Sequence, residues 1–567
     1  MVKTPKTSTR KRSRPAATKN DEKIITRKKM GAPSTTKKQA AVPVTVLSGF
    51  LGSGKTTLLR NILQQTNGTK KKVAVLVNDM AEVNIDANLV RDTKLLQKEA
   101  KMVELHNGCI CCTLREDLIK ELAGLASEGK YDAIVVESTG VSDPQEVAET
   151  FAVDVMAGMP HPDHAAAGPE KGVEPMAPQQ WEMQSIIKAL GGRSSLNNVA
   201  RLDTCVTMVD CANFKANMAT SEDLSEKFGE EGGAEEGDQR NVAPLLMSQI
   251  EFADVLGLSK CDLVSEEEAV MVENSLRALN PKAIVVRAHR GDLPIDRILD
   301  TKLFSMQKAA QSAGWLQHMR DEEVVPETVV YGIDSFVYKA RTPFHPMRLK
   351  KWMMDHFCMF AQEYEIEQYG PEDMACPMPG AAGAGAEAAE PQAAEPEVEV
   401  EVEEVEDPEG ARREDKEKQE RMVTSFGTIL RSKGFIWIAG RDAYVGEWEQ
   451  AGAVGELSCG GYFYGAIPEE ERDGQWPPEG TEAYKMLMKD FEGPELQDRR
   501  QELVFIGQRL NIDGIRKALD DCLVKKAEVS GLENKEQKSE HSWKLGISDL
   551  EDKFPAWGLE IEVEEED

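Results

Sequence analysis

The residues with the most pointed chemistry are Gly49-Phe50-Leu51-Gly52-Ser53-Gly54-Lys55-Thr56-Thr57. They satisfy G-x-x-x-x-G-K-[ST], and they follow a short apolar strand and open a helix, the setting that motif requires. Glycine tolerates backbone angles that turn successive N–H groups inward, so the loop can surround phosphate oxygens. Lys55 is placed to reach the β- and γ-phosphates of a nucleotide, and the Thr56 hydroxyl to ligate Mg2+. The helix N-terminus adds a favourable potential for the anion. The phosphate-binding set expected from this loop is Gly49, Gly52, Ser53, Gly54, Lys55, Thr56 and Thr57.

Three further stretches close apolar runs, and so belong at the same edge of an open α/β sheet. Glu137 closes Ala133–Val136 and leads into Ser138-Thr139-Gly140. A carboxylate there can hold Mg2+ or its waters, and the glycine can sense a γ-phosphate. Asn78-Asp79 closes Val73–Val77. Ser259-Lys260-Cys261-Asp262 closes Ala253–Leu258. Asp262 can accept from the two adjacent N–H groups of guanine, which adenine does not offer in that arrangement, and the Lys260 stem can pack on the ring. Lys55, Thr56 and Glu137 are the expected catalytic group; Ser259, Lys260 and Asp262 are the expected base-reading group.

Gly108-Cys109-Ile110-Cys111-Cys112-Thr113 carries three thiols in four residues. Adjacent cysteines bridge each other only with strain. Three thiolates can take three corners of a tetrahedron around a soft or borderline cation, with Zn2+ the first candidate. The fourth corner is open to water, to a side chain such as His106, or to a ligand from another protein. A structural zinc site normally closes with four protein ligands, so a three-thiolate site suits transfer. A redox site and a buried trio of small apolar side chains are the alternatives. His161 and His164 make a second, weaker pair of candidate ligands, and Cys205, Cys211, Cys261, Cys358, Cys376, Cys459 and Cys522 are scattered and read as structural.

These groups need a scaffold, and the apolar pattern supplies one. Val73–Val77, Ala133–Val136, Cys205–Val209 and Ala253–Leu258 are short continuous apolar runs, the mark of strands buried on both faces. Helical stretches over 114–127, 144–151, 243–250 and 265–279 separate them. Strand alternating with helix implies a doubly wound, mostly parallel sheet with helices on both faces. This α/β domain is expected over 41–326, with surface insertions at about 154–200 and 220–240. A smaller α+β domain is expected over 327–567. In it, Val329–Tyr338 reads as strand, Pro343–Phe360 as helix, Gly427–Arg431, Gly434–Ala439 and Tyr462–Tyr464 as strands, and Ile515–Cys522 as a closing helix. The segment 371–420 splits it, with 17 acids against 4 bases in a low-complexity run, and is expected to be disordered.

Charge is distributed unevenly. The chain of 567 residues has a net charge of −31. Residues 1–40 hold 13 lysines and arginines against 2 acids. That leaves about −42 on the rest, so nucleic acid is not expected as a partner of the folded core. The basic tail is expected to be disordered. Its cluster Arg10-Lys11-Arg12-Ser13-Arg14 suits a nuclear address, an organelle transit segment or a solvated tail. No run of about 18 apolar residues suggests a membrane span, and the start has no apolar secretion signal. A cytoplasmic or nuclear location follows as the expectation, with the cysteines reduced or metal-bound.

Together these stretches resemble the CobW-type family of P-loop GTPases and metallochaperones. The likeness is carried by Gly49–Thr57, Asn78–Asp86 (NDMAEVNID), Gly108–Thr113 (GCICCT), Glu137–Pro144 (ESTGVSDP) and Gln249–Leu263 (QIEFADVLGLSKCDL). Pro343–Pro346 and Leu430–Phe435 resemble the family's C-terminal domain more loosely. The resemblance implies GTP hydrolysis with Mg2+, coupled to handling of Zn2+ and delivery to a client metalloprotein. Two departures stand out: Ser259 occupies the place where the guanine motif usually has Asn, and the histidine-rich tract of many relatives is absent. A non-enzymatic zinc buffer and an ATP-dependent P-loop enzyme of cofactor synthesis are the rival readings. Lys55, Thr56 and Glu137 speak against the first, and Lys260 to Asp262 against the second.

Overall fold

Apolar runs buried on both faces build the first layer. The structure, a computed structural model, describes residues 41–67, 71–77, 102–104, 115–152, 186–190, 193–228, 240–305, 332–360, 408–469, 472, 475–525, 550–555 and 557. Val42–Ser48 (β1) runs through the glycine loop into Lys55–Asn67 (α1). Val73–Val77 (β2), Met102–Glu104 (β3), Arg115–Ser127 (α2), Ala133–Glu137 (β4) and Pro144–Ala152 (α3) follow. Then come Ala200–Asp210 (β5), Phe214–Ala219 (α4), Val242–Glu251 (α5), Val255–Ser259 (β6), Glu266–Leu279 (α6) and Ile284–Arg287 (β7). The seven strands form one sheet, ordered β3-β2-β4-β1-β5-β6-β7. Every pairing is parallel. The expected doubly wound α/β fold is therefore present.

Alternate strand residues face opposite layers, as the pleat dictates. On one face Leu58, Leu59, Ile62 and Leu63 of α1 pack with Val75, Val135 and Val206. On the other, Leu118 and Leu122 of α2 and Val147 and Phe151 of α3 cover Val44, Val46 and Leu76. Farther along that face, Leu246 and Ile250 of α5 and Val272 and Leu276 of α6 cover Leu256 and Leu258. The end of the stretch expected as a surface insertion joins this core. Ile186, Leu190 and Leu196 are buried with α2 and α3, Ile186 and Leu190 being one helical turn apart. The connection after β1 leads toward β2 and that after β5 toward β6. The glycine loop thus opens where connections leave in opposite directions, the crevice where such sheets bind ligands.

The second layer is a six-stranded sheet. Its elements are Ile333–Ala340 (β8), Pro346–His356 (α7), Cys358–Phe360 (β9), Pro408–Phe426 (α8), Thr428–Ile436 (β10), Tyr444–Ala451 (β11), Val454–Tyr462 (β12), Glu482–Asp490 (α9), Gln501–Gln508 (β13) and Ile512–Cys522 (α10). The order is β8-β13-β10-β11-β12-β9, antiparallel except for β12 with β9. β13 shows how it is mounted: Leu503 and Phe505 join the aromatic core under α7, α8 and α10, whereas Val504 and Ile506 join the α5/α6 core of the first sheet.

Four expectations change here. The strand expected at Tyr462–Tyr464 is the end of β12, and Tyr464–Ala466 is a short 3-10 turn. The helix expected to reach Phe360 ends at His356, because residues 358–360 pair with β12. The tail of the low-complexity segment is helical from Pro408, with Met422 and Phe426 buried and Lys418 paired with Glu414 one turn earlier. The two short strands expected around Gly434 are one strand, β10. Gly434 does not break it; a Cβ there would lie 2.0 Å from the Glu502 carbonyl oxygen, so the glycine permits close strand approach. Among the described residues, no helix is long and apolar enough to cross a membrane.

Candidate nucleotide site

The loop turns on three glycines in backbone conformations that strain other residues. Gly49, Gly52 and Gly54 have φ of +128°, +68° and +102°. A Cβ on Gly49 would lie 2.3 Å from the Met208 carbonyl oxygen, so β5 packs directly beneath the loop. The Ser53 amide donates to the Phe50 carbonyl at 3.1 Å, and the Leu58 amide to the Gly54 carbonyl at 3.0 Å, which starts α1. Lys55 is only 2% exposed. Its Nζ donates to the carbonyls of Gly49 at 2.8 Å and Phe50 at 3.2 Å, so the cation lies inside the loop.

Glu137 ends β4, the strand beside β1, and is buried. Thr56 Oγ1 donates to Glu137 Oε1 at 3.2 Å. A hydroxyl and a carboxylate oxygen this close are the hard donors that Mg2+ takes. Ser53 Oγ and Thr139 Oγ1, on the two loops that flank this contact, are buried and have no hydrogen-bond partner among the described residues. A buried polar atom left so costs roughly 1–3 kcal/mol, and such atoms mark where a polar ligand fits.

On the other side of the loop, Ser259 Oγ donates to the Ser53 carbonyl at 2.6 Å. The residue that departs from the usual Asn thus fastens β6 to the phosphate loop. Lys260 adopts φ +53°, and its Nζ reaches Asp210 Oδ2 at 2.8 Å. A Cβ on Gly52 would lie 3.9 Å from that ammonium, so the lysine stem borders the loop. Asp262 stands exposed in the short turn Cys261–Leu263. Asp210 was missing from the expected set. It closes the apolar run of β5 as Glu137 closes that of β4, and the same strand-end argument finds it.

Cys109, Cys111 and Cys112, with His106, His161, His164 and Asn78–Asp86, lie outside the described residues. Burial pushes the thiols of Cys211, Cys358 and Cys522 up to about 12, and those of Cys205 and Cys261 are also raised by burial, so each rests protonated as a packing residue. Among the described residues, no cluster of three His, Cys, Asp or Glu could hold a metal ion.

A phosphate loop, a strand-end carboxylate and a mixed second sheet coincide with known families. The model for the CobW/HypB/UreG nucleotide-binding domain matches residues 43–163 and 178–287. That for the cobalamin synthesis protein cobW C-terminal domain matches 410–523. The chain belongs to the CobW family. Within it, the chain is 34% identical over 497 residues to the zinc-regulated GTPase metalloprotein activator 1 of Dictyostelium discoideum, covering 86% of this chain and 81% of the relative. The zinc chaperone CobW of Pseudomonas aeruginosa is 26% identical over 281 residues, 48% of this chain and 63% of that one. Among solved structures, the Zn(II)-bound YjiA GTPase from E. coli is 16% identical, with 86% of this chain and 100% of that chain covered and a TM-score of 0.30. The CobW match spans the loop, the cysteine stretch, Glu137 and the Ser259–Asp262 motif in one domain, and α8 to α10 in the other.

Proposed function

We propose that this CobW-family chain is a GTP-hydrolysing metallochaperone. It holds a transition metal, zinc, at Cys109, Cys111 and Cys112 and passes it to a client metalloprotein under the control of nucleotide state. The observation that carries the nucleotide half is the Thr56–Glu137 contact at the mouth of a loop that already buries Lys55. The zinc half is supported by the thiol spacing and by the names of the relatives.

In this reading the loop amides receive the β-phosphate, and Lys55 exchanges its loop carbonyls for phosphate oxygens. Thr56 and Glu137 hold Mg2+, which neutralises charge on the β- and γ-phosphates when bound. The Ser138–Gly140 turn faces the terminal phosphate. Asp262 accepts from guanine, the Lys260 stem lies along the ring, and Ser259 keeps the two loops in register. Phosphate release from GTP by the parent chain and by Lys55→Ala tests it. Loss of turnover by at least about a hundredfold is expected, because transition-state charge loses its main cation. Equal turnover in the two proteins sinks the assignment.

A further inference from the structure

Gln249 sits on the last turn of α5 and is fully buried. Its Nε2 donates to the carbonyls of Gly140 at 3.3 Å and Ser142 at 3.1 Å. Two carbonyls on one side settle which end of the carboxamide carries nitrogen. Its Oε1 is buried and has no hydrogen-bond partner among the described residues. The Gln249 carbonyl accepts from Thr207 Oγ1 at 2.8 Å, and that hydroxyl meets Ser48 Oγ, the residue before the phosphate loop, at 2.8 Å. One residue of α5 therefore grips the turn after Glu137 and the root of the phosphate loop together.

The grip continues on either side. Ser248 Oγ donates to Asp143 Oδ2 at 2.6 Å, and an Arg240 guanidinium nitrogen to the Val141 carbonyl at 3.1 Å. Gly140 is pressed against the loop: a Cβ there would lie 2.7 Å from the Leu51 amide nitrogen. Packing alone does not explain a glutamine here. A methionine would fill the same volume without burying that oxygen, but it would leave the Gly140 and Ser142 carbonyls without this donor. The amide is doing something that depends on its N–H groups, and those hold the turn expected to meet a terminal phosphate.

We infer that Gln249 is a positioning residue, setting the Gly140 turn so that the site distinguishes a nucleoside triphosphate from a diphosphate. This rests on the GTPase reading above. The diphosphate is held by the loop amides, Lys55 and the base motif, none of which the Gln249 side chain touches. The terminal phosphate alone depends on the turn.

The test uses the full chain and its Gln249→Glu variant, with binding of GDP and of a non-hydrolysable GTP analogue and with GTP turnover. Ionised, the new carboxylate faces two carbonyls and repels them; protonated, its single O–H donates to one of the two and restores half of what the amide held. Burial raises its protonation range. At pH 8 we expect GDP affinity within about threefold of the parent, with analogue affinity and kcat each down about tenfold or more, so that contacts to the terminal phosphate are lost in both the ground state and the transition state. Relative to the parent, both recover in part as pH falls to 6. Equal losses for GDP and analogue in a folded variant, or no loss in either, overturn the inference. Should Gln249→Glu not fold, Gln249→Met gives the same comparison, with the selective loss and no pH recovery expected. A parent that neither prefers nor turns over GTP removes the functional reading and this inference together. A parent that does both, with an unselective variant, removes this inference alone.

Discussion

A buried ammonium resting on two carbonyl oxygens is a charge placed for an anion, and Lys55 is such a group. The base side is subtler, because Asp262 is exposed and its value lies in what it accepts. Asp262→Asn removes one end of a charged acceptor pair. It is expected to weaken GTP binding by roughly 10–150-fold, the worth of about 1.5–3 kcal/mol for hydrogen bonds to a charged group. ATP binding should not change, and a competition titration with both nucleotides reads the difference. Ser259→Ala has a different signature. It frees the Ser53 carbonyl from a 2.6 Å bond. GTP and GDP affinity should fall together, by about 1–2 kcal/mol. Direct titration of both nucleotides checks it, and a loss confined to GTP contradicts the anchoring role. The phosphate loop was legible in the sequence because each of its glycines answers a local demand. The work of Ser259 was not. Its partner is 206 residues away, and only the placement of β6 beside β5 makes the bond possible. Gln249 was hidden for the same reason: α5 reads as an apolar helix, and nothing local marks one of its polar residues as a hand on a distant turn.

At the scale of elements, one ion cluster joins the two sheets. β10 carries a bulge where Ile429 and Arg431 oppose consecutive residues of β13, so Leu430 and Arg431 both turn to the α5 side. Arg431 Nε and Nη2 donate to the two carboxylate oxygens of Glu251 at 2.9 and 3.2 Å, and Nη2 also meets Glu449. Burial alone would pull the guanidinium down, but Glu251 and Glu449 outweigh it and keep it charged. Burial pushes Glu449 up, yet Arg431 and Lys433 outweigh that and hold it at about 2. A depressed carboxyl contributes stability that is full above its unfolded range and is lost as pH falls toward its folded value. Stability should therefore drop between about pH 4.5 and 2, and less steeply in Glu449→Gln. Arg431→Met leaves two carboxylates facing each other in a joint where Glu449 still meets water, and is expected to cost about 2–3 kcal/mol by chemical unfolding, below the cost for a fully buried pair. Adding Glu251→Gln should return part of that. Purely additive losses would mean that the pair is not coupled. The second sheet was only partly legible. β11 buries Gly446, Trp448 and Gln450 on one side, and two of those three are not apolar, so the alternation does not show. Gln450 is satisfied there by Ser432 and by the carbonyl of Gly452, contacts that no local pattern announces. β13 is apolar on both faces because each face meets a different core, which erases the period of two.

At the scale of the molecule, the question is how a thiol loop and a phosphate loop inform each other. The strands of the first sheet are all parallel, so their C-terminal ends lie along one edge. β3 ends at Glu104, paired with Val77 of β2, and α2 begins at Arg115. β3 therefore ends on the edge that holds Lys55 and Glu137, and the stretch bearing Cys109, Cys111 and Cys112 follows it in sequence. In the order β3-β2-β4-β1, its root stands three strand spacings from β1, about 14 Å. β4 lies between, and its end carries both the Thr56 contact and the Gly140 turn. A ligand that shifts this turn can thus reach both loops through neighbouring strand ends, which is the arrangement a two-state switch needs. Coupling of this kind is reciprocal: zinc must change GTP affinity by the factor by which GTP changes zinc affinity. A useful switch needs about 1–3 kcal/mol, or roughly 5–150-fold. We expect zinc affinity, measured against a competing chelator, to differ by such a factor between the GDP state and the state with a non-hydrolysable GTP analogue. Zinc should shift analogue affinity equally. Identical zinc affinity in both states would remove nucleotide-gated transfer even if both sites bind. Replacing Cys109, Cys111 and Cys112 with Ser should abolish the zinc dependence and leave GTP affinity without zinc within about twofold, because no thiol is asked to touch the nucleotide. If that triple variant still binds one zinc tightly, the ligands lie elsewhere, and His161 and His164 are the next to be replaced.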